Sequence, residues 1–246
     1  DRLKLIHTRH GAGDRAVGFD KASGRFDLVL VSGPKIRDRL IAEAGVPSDD
    51  IAMVGYPKFD LIGVSPPARP FAADGKPVVL YNPHVSPLLS SWYGQGRAVL
   101  DYFLASDRYN LIFAPHVMLF RRRVALSIER LAIDRPGALD RKYREAPNIH
   151  VDLGSRASTD MSYTRAADIY LGDVSSQVYE FLQQPRPCVF LNSHRIDWRG
   201  DPNYAHGQAG EVIEDVARLG PALDAALERH AAYAPIQQRL LAESFD

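Results

Sequence analysis

Residues 167–182 read ADIYLGDVSSQVYEFL, and this stretch decides the fold. An apolar run stops at Gly172-Asp173, and apolar residues then recur at helical spacing. The pattern predicts a strand, a tight polar turn that contains Ser175 and Ser176, and the beginning of a helix. Backbone N–H groups and hydroxyls at such a turn suit an anion, whereas an ordinary serine cap on a core helix explains the segment equally well.

The composition is that of a globular protein, with 246 residues, 46% of them hydrophobic and 24% charged. The 30 Lys and Arg residues balance 30 Asp and Glu residues, so net charge favours no nucleic-acid partner. No apolar run approaches the roughly 20 residues of a membrane helix, and no signal peptide is visible at the start. Because the single cysteine, Cys188, lies in an apolar run and cannot form an internal disulfide, we expect a reducing, cytoplasmic environment.

Short apolar segments alternate with helical patterns, which predicts an α/β protein whose C-terminal domain is a doubly wound parallel sheet. We predict an α/β unit over 1–62, a Pro- and Gly-rich linker over 63–76, a Rossmann-like domain over 77–233 and a C-terminal tail over 234–246. The first unit offers too few strands for a comfortable domain of this type. We therefore expect it to be the trailing portion of an N-terminal domain that begins upstream, or a small abbreviated one.

Apolar runs and their spacing place the individual elements. The predicted strands are 3–7, 28–31, 51–54, 78–81, 110–113, 149–151, 168–171 and 188–191. The predicted helices are 35–44, 95–105, 120–132, 159–166, 176–183 and 220–232. Since the carboxyl ends of parallel strands meet at one edge of a sheet, we expect the loops that follow them to face a common crevice.

Three of these loops contain a histidine, namely His10, His84 and His116, and the last two each follow a proline. Histidine can act as a general base toward a hydroxyl or as a cation against phosphate. One such histidine is usually structural, but three at matching positions favour a site. Their spacing does not fit a metal centre, so we expect no metal.

Other features near these loops carry weaker signals. Gly11 and Gly13 allow a ligand to approach the backbone closely, without forming a dinucleotide fingerprint. Glu180 lies one helical turn beyond Ser176 and suits either ribose hydroxyls or a plain surface position. The three arginines at 121–123 are expected on a solvated helix face, with phosphate or an anionic membrane surface as the alternative.

Five segments carry a resemblance in their order along the chain: HG at 10–11, VGYPKFD at 54–60, VLYNP at 79–83, PH at 115–116, and GDVSS at 172–176 with its helix. The chain resembles the CDP-glycerol glycerophosphotransferases, the teichoic-acid primases and polymerases. That resemblance implies the two-domain GT-B fold and no cofactor. It also implies a nucleotide-activated donor, CDP-glycerol or a nucleotide sugar, and a hydroxyl acceptor that is free or membrane-linked.

The resemblance further implies a transferase of glycerophosphate or sugar groups in cell-envelope polymer synthesis, located in the cytoplasm or peripherally at the inner membrane face. His10 would be the catalytic base, and His116 would contact the donor phosphate. The other expected donor-binding residues are Asn82, His84, Asp173, Ser175, Ser176 and Glu180, with Gly11 and Gly13 shaping the first loop. A UDP-sugar 2-epimerase, which needs no acceptor, and a non-catalytic nucleotide-binding module are the alternatives.

Overall fold

The computed structural model describes residues 3–9, 11–14, 18–63, 66–71, 74–127 and 132–245. The strands are β1 (Ile6–Thr8), β2 (Leu28–Val31), β3 (Ile51–Met53), β4 (Val78–Asn82), β5 (Asn110–Phe113), β6 (Ala125–Ser127), β7 (Ala132–Asp134), β8 (Ile149–Val151), β9 (Ile169–Gly172), β10 (Cys188–Leu191) and β11 (Glu211–Ile213). The α-helices are α1 (Pro34–Arg39), α2 (Arg97–Ala105), α3 (Arg141–Glu145), α4 (Ser162–Ala166), α5 (Gln177–Phe181), α6 (Leu219–Glu228) and α7 (His230–Ser244). The parallel α/β class is confirmed.

The larger sheet has the strand order β11-β10-β9-β4-β5-β8, and every neighbouring pair is parallel. Counted from β8, this is the order 3-2-1-4-5-6 of dinucleotide-binding folds. After β4 the chain continues to β5, which lies on one side of β4 in the sheet. After β9 it continues to β10, which lies on the opposite side of the sheet. The switch point of the sheet therefore lies between β4 and β9, where Asn82 pairs with Gly172.

Both faces of this sheet are covered, which explains why its central strands are apolar without alternation. On one face, Phe103 of α2 and Leu223 of α6 are fully buried in a cluster with Leu111 of β5. On the other face, Phe181 of α5 and Leu240 of α7 pack with residues of β9 and β10. Each buried side chain of this size contributes about 1.5–3 kcal/mol, so the two layers fix the sheet between them.

The smaller sheet has the order β1-β2-β3 and is also parallel. Its core is formed by β2 and α1, with Val29, Val31 and Ile36 at most 1% exposed. The predicted strand at 3–7 is shorter and shifted in the structure. Ile6 in β1 is 58% exposed, so this strand forms an exposed edge rather than a buried one.

Helix α7 joins the second unit to the first. The Ser32 hydroxyl donates to the Ser244 carbonyl at 2.9 Å. A Cβ on Gly33 would lie 2.7 Å from backbone atoms of Ser244 and Phe245, so this close approach requires glycine. The Phe245 ring then contacts Phe59, with centroids 4.6 Å apart.

The helix predicted at 120–132 is wrong for the residues that the structure describes there, and 128–131 lie outside them. Residues 121–124 are irregular, and Ala125–Ser127 forms β6, which pairs antiparallel with β7. The apolar spacing did not mark a buried face there, because Val124 is 38% exposed. The arginines at 121–123 are exposed as expected, but they lie outside any helix. The helix predicted at 220–232 is interrupted at Arg229, and β11 was not predicted.

Candidate functional site

Asn82 ties together the loops that meet at the switch point. It ends β4 and is only 1% exposed. Its Nδ2 donates to the carbonyl of Ala114 at 2.6 Å, and its Oδ1 accepts from the Ser175 hydroxyl at 3.1 Å. One buried amide therefore connects the segments that follow β4, β5 and β9, and the structure brings Asn82 and Ser175 together.

His84 and His116 lie side by side in those segments, with ring centroids 5.7 Å apart. Nδ1 of His84 accepts from the Ser86 N–H at 2.9 Å, and Nδ1 of His116 accepts from the Met118 N–H at 3.2 Å. Because a donor points at Nδ1, the proton of each neutral ring belongs on Nε2. Both rings can therefore act as donors through Nε2, which suits a phosphate oxygen better than removal of a proton.

Asp173 anchors the loop that carries His84. Its carboxylate is buried and accepts from the His84 N–H at 2.9 Å, the Ser91 N–H at 2.6 Å and the Ser91 hydroxyl at 2.9 Å. Burial raises the pKa of Asp173 from 3.8 to about 6, although these hydrogen bonds oppose the shift. Both oxygens are engaged by the protein, so the geometry makes Asp173 an organiser of the loop.

Ser176 lies where the two units meet. A Cβ on Gly11 would lie 3.3 Å from the Ser176 Cβ, and a Cβ on Gly13 would lie 3.3 Å from the Ser176 Cα. The glycines therefore let the first loop rest directly on the beginning of α5. His10 precedes Gly11 but lies outside the described residues, so its assignment as the base stays a prediction.

Glu180 is bound by the other unit. It is 3% exposed, and the Lys58 ammonium lies 2.8 Å from each of its carboxylate oxygens. The Tyr56 hydroxyl donates to Glu180 at 2.9 Å, and burial together with the Glu180 charge raises the pKa of Tyr56. The segment at 54–60 thus contacts α5 directly. The expected role of Glu180 at a ribose stays a prediction, since both oxygens are engaged here.

Asp14 is a site residue that sequence reasoning missed. Its carboxylate has no exposed surface and lies 3.0 Å from the Lys35 ammonium and 3.0 Å from Nδ1 of His206. It also accepts from the His206 N–H at 2.9 Å and from the Tyr179 hydroxyl. Burial opposes ionisation, but these hydrogen bonds and the Lys35 charge hold the pKa of Asp14 well below its usual range. The only sequence signal was an acidic residue directly after the glycine loop.

A pocket opens between the ends of β9 and β10. Its wall includes Asp173, His206, Trp198 and Phe190, so it borders both the switch point and the Asp14 cluster. Ser193 also lines it, and the Ser193 Oγ is buried with no hydrogen-bond partner among the described residues. The loop after β10 therefore belongs to the same edge, although no sequence motif indicated it.

Neither a metal-binding cluster nor a membrane-spanning helix occurs among the described residues. They contain no group of three His, Cys, Asp or Glu side chains placed to hold a metal ion. In the same part of the chain, no helix is long and apolar enough to cross a membrane.

No protein-family model matches the chain, and no curated protein matches it. Its fold is similar to a structure of the wall teichoic acid polymerase TagF, with a TM-score of 0.66 and 16% identity over 98% of this chain. The chain spans 64% of that polymerase chain. It is also similar to the calicheamicin glycosyltransferase CalG4, with a TM-score of 0.50 and 14% identity over 89% of this chain and 48% of that one.

These likenesses concern the fold. Two parallel α/β units face each other, and the last helix returns from the second unit to the first. The arrangement matches the GT-B glycosyltransferases among its structural neighbours, so the expected GT-B-like fold class is confirmed.

Proposed function

We propose that this chain belongs to a transferase that moves a glycerophosphate or sugar group from a nucleotide-activated donor to a hydroxyl acceptor. The donor would be CDP-glycerol or a similar compound, and the product would be a cell-envelope polymer. The observation that carries the proposal is the convergence at the switch point. Polar loops after β4, β5 and β9 meet there, and the glycine loop of the other unit rests on Ser176.

The fold gives this convergence its meaning, because ligands of open α/β sheets bind in the crevice beyond the strand ends at a switch point. The likeness to TagF, of which a structure was solved after soaking with CDPG, supports a nucleotide-activated donor. The neutral donors at the edge are the two Nε2–H groups and the Ser176 hydroxyl, and groups of this kind donate to phosphate oxygens.

In this proposal His116 donates through Nε2 to a phosphate oxygen of the donor, together with Ser176. Ser175 would join them by turning its hydroxyl from Asn82 toward the phosphate. Asn82 and Asp173 do not contact the donor in this proposal. Each uses its polar atoms to hold a neighbouring loop in place. Donors fixed before the reaction stabilise charge on the leaving nucleotide without reorganisation, which is where such sites gain most of their rate.

The transfer itself needs a base for the acceptor. The acceptor oxygen attacks the transferred phosphorus or sugar carbon, its proton passes to the base, and the bond to the nucleotide breaks with the electron pair remaining on the nucleotide. His10 is the proposed base, because imidazole is the side chain that most often takes a proton in general base catalysis.

Ligand binding tests the donor first. We expect CDP-glycerol or CDP to raise the melting temperature of the protein, and binding at 100 times Kd adds about 2.7 kcal/mol to the free energy of unfolding. UDP and UDP-sugars serve as competitors for the alternative donor. The absence of a shift with every nucleotide would contradict the proposal.

A transfer assay tests the chemistry. H116A should reduce transfer by roughly 100-fold or more, as loss of a preorganised donor does at other sites. The control D224N removes the negative charge that accepts hydrogen bonds from Arg108 and Tyr109 at the opposite, amino end of β5, and it should leave transfer unchanged. Product formed without acceptor would instead indicate the epimerase, and nucleotide binding without turnover would indicate a binding module.

A further inference from the structure

We propose that Asp14 is a positioning residue for the transfer reaction, because its buried carboxylate is shared between the two units and holds the glycine loop on the beginning of α5. The inference rests on the proposed function for its kinetic test. The geometry that supports it lies in residues 11–14 and their partners, all of which the structure describes.

The carboxylate is bound from both sides of the interface. Lys35 belongs to α1 of the first unit and also donates to the Ala12 carbonyl at 2.9 Å. His206 and Tyr179 belong to the second unit, and Tyr179 is part of α5 itself. Removal of Asp14 therefore releases the loop from the helix on which it rests.

The Lys35 ammonium reinforces the same contact, since it lies 3.7 Å from the centroid of the Tyr179 ring. Arg39 adds a second link across the units: it donates to the Asp14 carbonyl at 2.8 Å and to the Asn203 side chain at 2.8 Å. The loop is thus held by its backbone as well as by its carboxylate. Such a dense, buried set of charges defines one loop position rather than a range of positions.

Position matters here because the loop bears the segment expected to face the acceptor. Gly11 and Gly13 touch Ser176, which is one of the proposed phosphate-binding residues. A shift of about 1 Å between reacting groups can cost roughly 100-fold in rate, even when the mutated residue is remote from the chemistry. Asp14 would then influence the reaction without contact with either substrate.

The test compares D14N with the double variant D14N/K35M. D14N alone leaves the buried Lys35 ammonium without its carboxylate and can unfold the protein, whereas the double variant removes both charges. We expect kcat to fall by roughly 100-fold and the KM for the acceptor to rise, while the KM for the donor stays unchanged. If Asp14 affected only the amount of folded protein, the apparent kcat would fall while the KM values for donor and acceptor both stayed unchanged. That result would overturn the inference.

A matched control variant and a hydrogen-exchange measurement distinguish a displaced loop at 11–14 from a general loss of stability. N148A removes two hydrogen bonds to the carbonyls of Phe103 and Ser106, at the amino edge of the larger sheet. We expect hydrogen exchange at residues 11–14 to rise by at least about tenfold in D14N/K35M and to stay unchanged in N148A. Unchanged exchange in both variants would overturn the inference.

The exchange measurement needs no substrate, so it also distinguishes the two proposals. If the unmodified protein transfers nothing while exchange behaves as expected, the proposed function fails and the anchoring of the loop by Asp14 stands. If transfer occurs and exchange at the loop does not respond, the proposed function stands and the role of Asp14 fails.

Discussion

The clusters around Asp14 and Asp173 are both buried beside His206, yet they hold their carboxylates in opposite ways. Asp14 lies between the units and receives the Lys35 charge and three hydrogen bonds from His206 and Tyr179, which keep it ionised. Asp173 lies within one unit and receives hydrogen bonds from two backbone N–H groups and a hydroxyl. Their pKa values accordingly move in opposite directions.

The difference between the charged cluster at Asp14 and the neutral hydrogen bonds at Asp173 predicts how each responds to mutation and to pH. A contact built from charges depends on every partner, because removal of one leaves another charge buried and uncompensated. A contact built from neutral donors leaves the buried carboxylate without a compensating charge, so protonation of that carboxylate favours the folded state. We therefore expect the interface between the units to fail abruptly, and the loop at the switch point to respond gradually to pH.

The largest effect should come from breaking the charged cluster. D14N should lower the free energy of unfolding by about 3–5 kcal/mol, since it leaves the Lys35 ammonium buried without its carboxylate. D14N/K35M should recover a substantial part of that loss. Urea unfolding measures both variants, and a double variant no more stable than D14N would contradict an electrostatic origin.

The pH dependence of Asp173 should be the next largest effect. Its pKa in the folded protein is about 6 against 3.8 ordinarily, so the folded state binds this proton more tightly than the unfolded state. Its contribution therefore favours folding most below pH 4 and declines by up to about 3 kcal/mol as pH rises to 6. Asp14 is ionised in the folded protein throughout that window, so it adds little slope there.

The measurement compares the free energy of unfolding of the unmodified protein and D173N between pH 4 and pH 8. The difference between the two should fall as pH rises to 6 and then stay level, whatever other groups titrate in both proteins. A difference that is constant across this range would show that burial does not raise the pKa of Asp173 in this way.

A methyl group placed between the units should have a smaller effect. G13A directs a Cβ to 3.3 Å from the Ser176 Cα, and the backbone of α5 must yield to admit it. We expect a loss of about 1–3 kcal/mol by thermal or urea unfolding. A Cβ on Gly24 would have no described atom within 4 Å, so G24A is the control and should cost little.

The smallest effect should come from the second contact between the units. Y56F removes one hydrogen bond to Glu180 and leaves the Lys58 ion pair in place. We expect a loss of about 1 kcal/mol in the free energy of unfolding. A loss as large as that of D14N would mean that the Tyr56 hydrogen bond contributes to the contact at Glu180 as strongly as an ion pair does.

Much of the architecture followed from local pattern. The turn at Gly172–Ser176 lies between β9 and α5 as predicted, because an apolar run, a polar turn and helical spacing are properties of neighbouring residues. The helix predicted at 120–132 failed because part of this segment forms a strand, and the spacing of its apolar residues did not reveal the strand pairing. Residues 125–127 pair with β7, and two of the β7 residues, Ile133 and Asp134, lie beyond the predicted helix, so spacing within the segment misled the assignment.

The roles of the site residues were harder to predict from the sequence than the strands and helices. The sequence placed His84, His116 and Asn82 at strand ends, and the structure brings them to one edge. Nothing local distinguished Glu180, expected at a ribose, from a residue that binds Lys58 across the units. Asp14 was missed because its partner His206 lies 192 residues away.

The sequence by itself determined which segments become strands, turns and helices, and which polar residues follow the strands, since spacing and turn chemistry act over a few residues. Only the tertiary structure decided which of those residues are buried and what they bind. Burial removes water, and the replacement partners of Asp14 and Glu180 come from distant parts of the chain. Their charge states and their function at the interface therefore arise only when the two units meet.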